Sequence, residues 1–105
     1  MPEALTQSPA GWALITDFAA KHGVLISGSA PFTARQGAVV SLAPDFHETG
    51  GLAVLMADKV FKGVPAGTIP VATPEFYLRI NYKLAQELGL KVPKGLLKMA
   101  SEIYR

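Results

Sequence analysis

Two short segments hold the side chains best suited to gripping a small molecule. Ser27-Gly28-Ser29-Ala30-Pro31-Phe32 offers two hydroxyls, backbone N–H groups around a glycine, and an aromatic ring. Ala43-Pro44-Asp45 offers a carboxylate. A carboxylate pairs with an amine, a hydroxyl exchanges hydrogen bonds, and an aromatic ring stacks on or walls off an apolar group. Ser27, Ser29, Phe32 and Asp45 therefore describe contacts for a solute with an amine and an apolar or aromatic part. Each also has a plainer reading. Asp45 stands where a helix N-cap belongs, a role compatible with ligand contact. Phe32 reads equally as core, Ser29 as a turn residue, and Arg35 and Gln36 as solvated side chains.

Catalytic constellations do not assemble. His22 and His47 stand alone in sequence. His47-Glu48-Thr49-Gly50 begins like a zinc-protease helix, but Gly51 occupies the place of the second histidine. Gly63-Val64-Pro65-Ala66-Gly67-Thr68 has the wrong spacing for a phosphate loop, lacks its lysine, and carries a proline where N–H groups should point at phosphate. Gly28-Ser29 follows a strand-like run, yet no glycine follows at the nucleophile-elbow spacing. No close acidic pair suggests general acid–base work. The reading is a non-enzymatic protein that needs no metal and no cofactor.

The elements that would position these residues follow from hydropathy and punctuation. Ser8-Pro9 is a helix start, with Ser at N-cap and Pro at the first helical position, and Gly23 is the stop. The spacing predicts a helix over Pro9–His22. Val24–Ser27 is a short continuous apolar run, the pattern of a strand buried on both faces of a parallel sheet. A single helical turn over Phe32–Gln36 ends at Gly37, and Ala38–Leu42 reads as a second buried strand. Asp45 caps a helix with an apolar stripe of Leu52, Leu55, Met56 and Val60, closed by Gly63. Pro65, Pro70 and Pro74 mark an extended linker. Phe76–Ile80 alternates as a half-buried strand. Asn81 caps a helix over Tyr82–Leu88, and a last helix begins at Pro93 with Leu96, Leu97, Ala100, Ile103 and Tyr104 inward. This alternation implies an α/β fold with a mainly parallel sheet and flanking helices.

Composition sets outer bounds. The 105 residues are half hydrophobic, 17% charged and free of cysteine, which describes one small core-forming unit without disulfides or thiolate sites. The ten Lys and Arg residues are scattered without interleaved aromatics, so nothing points to nucleic acid. No apolar run approaches the roughly 20 residues of a membrane span. Met1 to Pro9 has neither a basic n-region nor an apolar h-region, so no signal peptide is expected in this stretch.

Several ordered segments carry a family resemblance. They are Val24–Ser29, Gln36-Gly37-Ala38-Val39-Val40-Ser41-Leu42-Ala43-Pro44-Asp45-Phe46 and Met56–Gly63, followed by Ile69–Pro74, Leu78–Asn81, Ala85–Leu90 and Pro93–Leu97. In this order and spacing the chain resembles the ABC transporter substrate-binding proteins of the tryptophan/tyrosine type. The resemblance implies a type I periplasmic-binding fold, with two α/β lobes closing on a ligand about a hinge. It implies an amino acid or related solute as ligand, a membrane ABC permease as partner, and a periplasmic or extracytoplasmic full-length parent. It also implies that the Ser27–Phe32 loop and Asp45 face the cleft.

Family members are much longer than this chain. On the family pattern, residues 1–43 are C-terminal-lobe-like, and residues 44–105 supply the crossover and the remaining elements. A chain holding fragments of both lobes leaves sheet edges and helix faces uncovered. A homodimer is the resulting expectation. The alternative to solute binding is a structural or interaction module that dimerises and has lost its ligand.

Overall fold

The computed structural model describes residues 8–105. The elements, in order, are α1 (Pro9–His22), β1 (Ser27–Gly28), β2 (Val40–Pro44), α2 (Phe46–Phe61), β3 (Phe76–Asn81), α3 (Tyr82–Glu87), α4 (Lys94–Met99) and β4 (Glu102–Tyr104). They divide into two compact units. One joins the segment ending at Ala43 to Tyr77–Arg105; the other is Pro44–Phe76.

In the first unit, α1 has the expected limits for the expected reasons. Ser8 Oγ accepts from Gly11 N at 3.1 Å, Pro9 opens the helix, and Gly23 closes it at φ 64°. That φ lies in the left-handed region, which glycine enters without a Cβ penalty. Trp12 Nε1 donates to Gln36 O at 2.8 Å, tying α1 to the chain just before β2. His22 is a helix-end residue: its Nδ1 lies 2.8 Å from the Phe18 carbonyl, and its ring stacks on Phe18.

The four strands lie in the order β1-β2-β3-β4. The β1–β2 and β3–β4 pairs are parallel, so the sheet is mainly parallel with flanking helices, as expected. Two strands differ from their apolar-run reading. Only Ser27 and Gly28 join the ladder at the first strand, and Val24 and Leu25 are about half exposed. This strand is the sheet edge, with a neighbour on one side only, and the apolar run before it does not reach a position buried on both faces. The second strand is shifted to Val40–Pro44 and alternates: Ser41 and Ala43 are buried while Leu42 is exposed.

The C-terminal segment also differs. Instead of one helix from Pro93 through Tyr104, α4 stops at Met99 and the chain turns into β4. Ser101 N and Oγ both donate to Leu78 O at 2.8 Å, which starts the pairing of β4 on β3. Leu96, Leu97, Ala100, Ile103 and Tyr104 fit a helical period. However, Ile103 and Tyr104 also suit a strand, and the open side of β3 decides between the two.

The core of this unit consists of small residues. Among the described residues the buried hydrophobics are Ala19, Ala30, Ala34, Ala38, Ala43, Ala85 and Ile80. Alanines let backbones approach closely, so the fit of each turn against the sheet depends on single atoms. Asn81 is one of the connectors: its Oδ1 accepts from Leu84 N to cap α3, and its Nδ2 donates to Ala34 O, both at 2.9 Å.

In the second unit, Asp45 caps α2 as expected, with Oδ1 accepting from His47 N at 2.7 Å and Glu48 N at 3.3 Å. A single 3₁₀ turn at Ala66–Thr68 follows, then chain without regular secondary structure to Glu75. The stripe Leu52, Leu55, Met56 and Val60 is not buried: no residue of α2 is, and Leu55 and Val60 are exposed. The physical reason is that this unit holds one long helix and a proline-punctuated segment, with no second layer of its own to receive that stripe.

Candidate functional site

The turn after β1 is built around one carbonyl. Ala30 O accepts from Thr33 Oγ1 at 2.7 Å and from Ser41 Oγ at 2.8 Å. Thr33 and Ser41 are fully buried, so these bonds satisfy groups that would be costly to leave unpaired. The chain then winds through one turn, with Arg35 N and Gln36 N donating to Phe32 O and Ala38 N to Thr33 O. Gly37 closes it at φ 106°. The sequence-predicted turn at Phe32–Gln36 is therefore real, and it holds Phe32 and Arg35 over the sheet.

Phe32 is 41% exposed. With Pro31 and Arg35 it walls a hollow of about 240 Å³, whose other lining residues are Arg79, Glu102 and Tyr104. The parallel register sets Arg79 of β3 opposite Glu102 of β4. Glu102 Oε2 accepts from Arg79 Nε at 3.2 Å and from Tyr104 OH at 2.7 Å. Its Oε1 lies 3.7 Å from Arg35 Nη2. The Arg35 guanidinium sits 5.2 Å from the centre of the Tyr104 ring, and that of Arg79 sits 6.0 Å from the Tyr77 ring, both within cation–π range.

The electrostatics follow from these contacts. The Tyr104 hydroxyl is the largest influence on the Glu102 carboxyl; burial opposes it, and Arg79 and then Arg35 add to it, so that the carboxyl lies below its ordinary value of 4.5. Burial first, then the hydrogen bond and charge of Glu102, push the Tyr104 phenol above its ordinary 10.0. Both groups are therefore in their common neutral-pH forms, carboxylate and phenol. Arg79 is largely buried and its Nη1 has no hydrogen-bond partner among the described residues.

Of the four residues read from sequence, Phe32 lines this hollow. Ser27 ends up exposed in the edge strand and Ser29 exposed in the following turn, and neither is part of its lining. Asp45 belongs to the second unit, where it caps α2. Arg79, Glu102 and Tyr104 carry no sequence signal of a site; Tyr104 reads only as an inward helix residue and Arg79 only as part of an alternating strand. That alternation, over Phe76–Ile80, places Arg79 on the face opposite Ile80. A second hollow of about 380 Å³ lies against α1, with a mostly aliphatic lining that includes Ala20, Val24 and Ile26. Its one carboxylate, Asp17, is already paired with Lys21. Among the described residues no group of three or more His, Asp or Glu side chains is placed to hold a metal. Among the described residues no helix is long and apolar enough to cross a membrane.

In layered α/β units with a mainly parallel sheet, ligand sites tend to form beside the loops that follow the strands, and polar and aromatic groups gather beside such a loop here. Comparison with known proteins agrees. The family model described as ABC transporter substrate binding protein matches residues 7–104, and the chain belongs to that family. A crystal structure from Streptococcus pneumonia, described as the ABC domain in complex with L-Trp, is similar at 28% identity with a TM-score of 0.78. A conserved domain protein from Vibrio cholerae O1 biovar El Tor shares the fold at 23% identity and a TM-score of 0.76. Each alignment covers 90% of this chain and 32% of the other, so the chain spans about a third of the length of these neighbours. No curated protein sequence matches it significantly.

Proposed function

We propose that this chain supplies part of the solute-binding surface of an ABC transport system, with an amino acid as ligand. The observation that carries this reading is the family match across residues 7–104. The Phe32-walled hollow of the first unit and the L-Trp complex of the pneumococcal neighbour support it. In this reading the protein is a non-enzymatic receptor, its partner is a membrane permease, and the full-length parent works outside the cytoplasm. Ser27, Ser29 and Phe32 are the proposed contacts of the first unit, and Asp45 is the proposed contact of the second.

The test is a thermal-shift titration of the purified chain against the twenty amino acids. A ligand at a hundred times its dissociation constant adds about 2.7 kcal/mol of stability. An aromatic amino acid is expected to give the largest shift, and no shift with any of them refutes the reading. Asp45→Asn separates the two roles of that residue. Asparagine caps a helix about as well as aspartate but carries no charge for a ligand amine. Unchanged affinity in Asp45→Asn removes Asp45 from the site.

A second reading, an interaction module that pairs two copies of this chain, is favoured by one observation: α2 buries none of its residues and exposes Phe46, Val54, Leu55 and Phe61. Light scattering at tens of micromolar decides it, and a monomer rules it out.

A further inference from the structure

We propose that the hollow beside Phe32 is a carboxylate-binding site, in which Arg35 and Arg79 receive the anion and Phe32 covers its apolar part. The inference deepens the solute-binding reading, and rests on it for the natural ligand, by naming the group of the solute that this unit recognises. The chemistry of the hollow can be tested without that reading.

The first observation is charge. Two guanidiniums and one carboxylate line the hollow, and the single Glu102 is shared by both arginines and by the Tyr104 hydroxyl. One positive charge is left uncompensated beside the largely buried Arg79. The second observation is an orphan donor. Arg79 spends Nε on Glu102, while its Nη1 is buried with no partner among the described residues. An unpaired buried donor on a charged group is costly, and a purely structural ion cluster would be expected to satisfy it. The third observation is availability. Arg35 reaches Glu102 only at 3.7 Å and its side chain is 71% exposed, so it is held loosely and can swing to an incoming anion.

These features select the ligand class. A planar carboxylate matches the fork of a guanidinium and carries the single negative charge that the surplus calls for. A dianion such as phosphate would meet the Glu102 carboxylate with excess charge. The exposed Phe32 ring and Pro31 on the same wall favour a carboxylate with an aromatic or aliphatic body. Tyr104 also has a positioning role: its hydroxyl donates to the same Glu102 oxygen that accepts from Arg79 Nε, which holds the carboxylate on that side of the Arg79 guanidinium.

The test uses sodium benzoate as probe and the arginine side-chain Nε–H resonances of the labelled full chain as readout. Benzoate is expected to shift the Arg35 and Arg79 signals saturably, while benzylamine hydrochloride and sodium chloride at equal ionic strength do not. Arg35→Gln, at an exposed position, is expected to weaken benzoate about ten-fold or more. Glu102→Gln removes the competing carboxylate and is expected to tighten it, the opposite of what general damage to the fold would do. Shifts that sodium chloride reproduces, or an Arg35→Gln affinity equal to the parent's, overturn the proposal. If benzoate saturates but no amino acid stabilises the chain, the carboxylate site stands and the amino-acid reading falls. If an amino acid binds with the same affinity in Arg35→Gln, the solute reading stands and this one falls.

Discussion

Gly28→Ala should destabilise the chain far more than a single added methyl usually does. Gly28 lies in β1, and a Cβ built on it would overlap Thr33 Oγ1 and Cβ, with Thr33 Cγ2 also at 3.1 Å. Thr33 has nowhere to retreat. It is fully buried, and its hydroxyl donates at 2.7 Å to the same Ala30 carbonyl that accepts from buried Ser41. Overpacking of a filled interior costs about 1–3 kcal/mol, and loss of the Thr33–Ala30 bond adds about 1 kcal/mol. The expected loss is therefore about 2–4 kcal/mol, or roughly 10–30 °C in melting temperature for a chain of this size. Urea unfolding followed by circular dichroism measures it. Thr33→Gly is the matched background, because it removes the side chain that the new methyl would strike. There, Gly28→Ala should add less than about 1 kcal/mol. A loss below about 1 kcal/mol in the parent background, or an equal loss in both backgrounds, would refute the claim that close contact between β1 and the Phe32 turn holds the candidate site in place.

Two further outcomes follow from the same contacts. Glu102 has a folded-state pKa below its ordinary value, so the folded chain binds that proton more weakly than the unfolded one. Its stabilisation is present above the ordinary carboxylate pKa and is lost as the pH falls through the lower folded value. Glu102→Gln should therefore flatten the acid side of the stability profile, and urea midpoints measured from neutral pH to about pH 3 that fall equally in both proteins would contradict this. Asn81→Ala should cost about 2 kcal/mol, half from the lost α3 cap and half from the orphaned Ala34 carbonyl. Asn81→Ser keeps a capping oxygen and loses only the donor to Ala34 O, so it should recover about half of that in the same assay.

Local signals were legible wherever a residue acts on its own neighbours in the chain. Ser8-Pro9 and Gly23 bound α1, Asp45 opens α2, and Asn81 opens α3, because caps and left-handed glycines satisfy backbone groups three or four residues away. The α/β alternation and the family resemblance were likewise readable from order and spacing. Burial was less legible. Val24-Leu25 and the α2 stripe have core composition, yet one lies at a sheet edge and the other faces no second layer of its own unit.

The C-terminal segment shows where sequence reasoning stops. Leu96 to Tyr104 satisfies a helical period, and only the open side of β3 turns Glu102–Tyr104 into a strand. With that pairing Arg79, Glu102 and Tyr104 meet, joined by Arg35 and Phe32 from a turn far away in the chain. Sequence by itself determined the family, the fold class, the caps and the candidate status of Phe32, since each depends on local spacing. Tertiary structure alone decided the charged hollow beside Phe32, because its members are brought together by strand register and by a turn fitted over an alanine core, and neither leaves a trace in spacing along the chain.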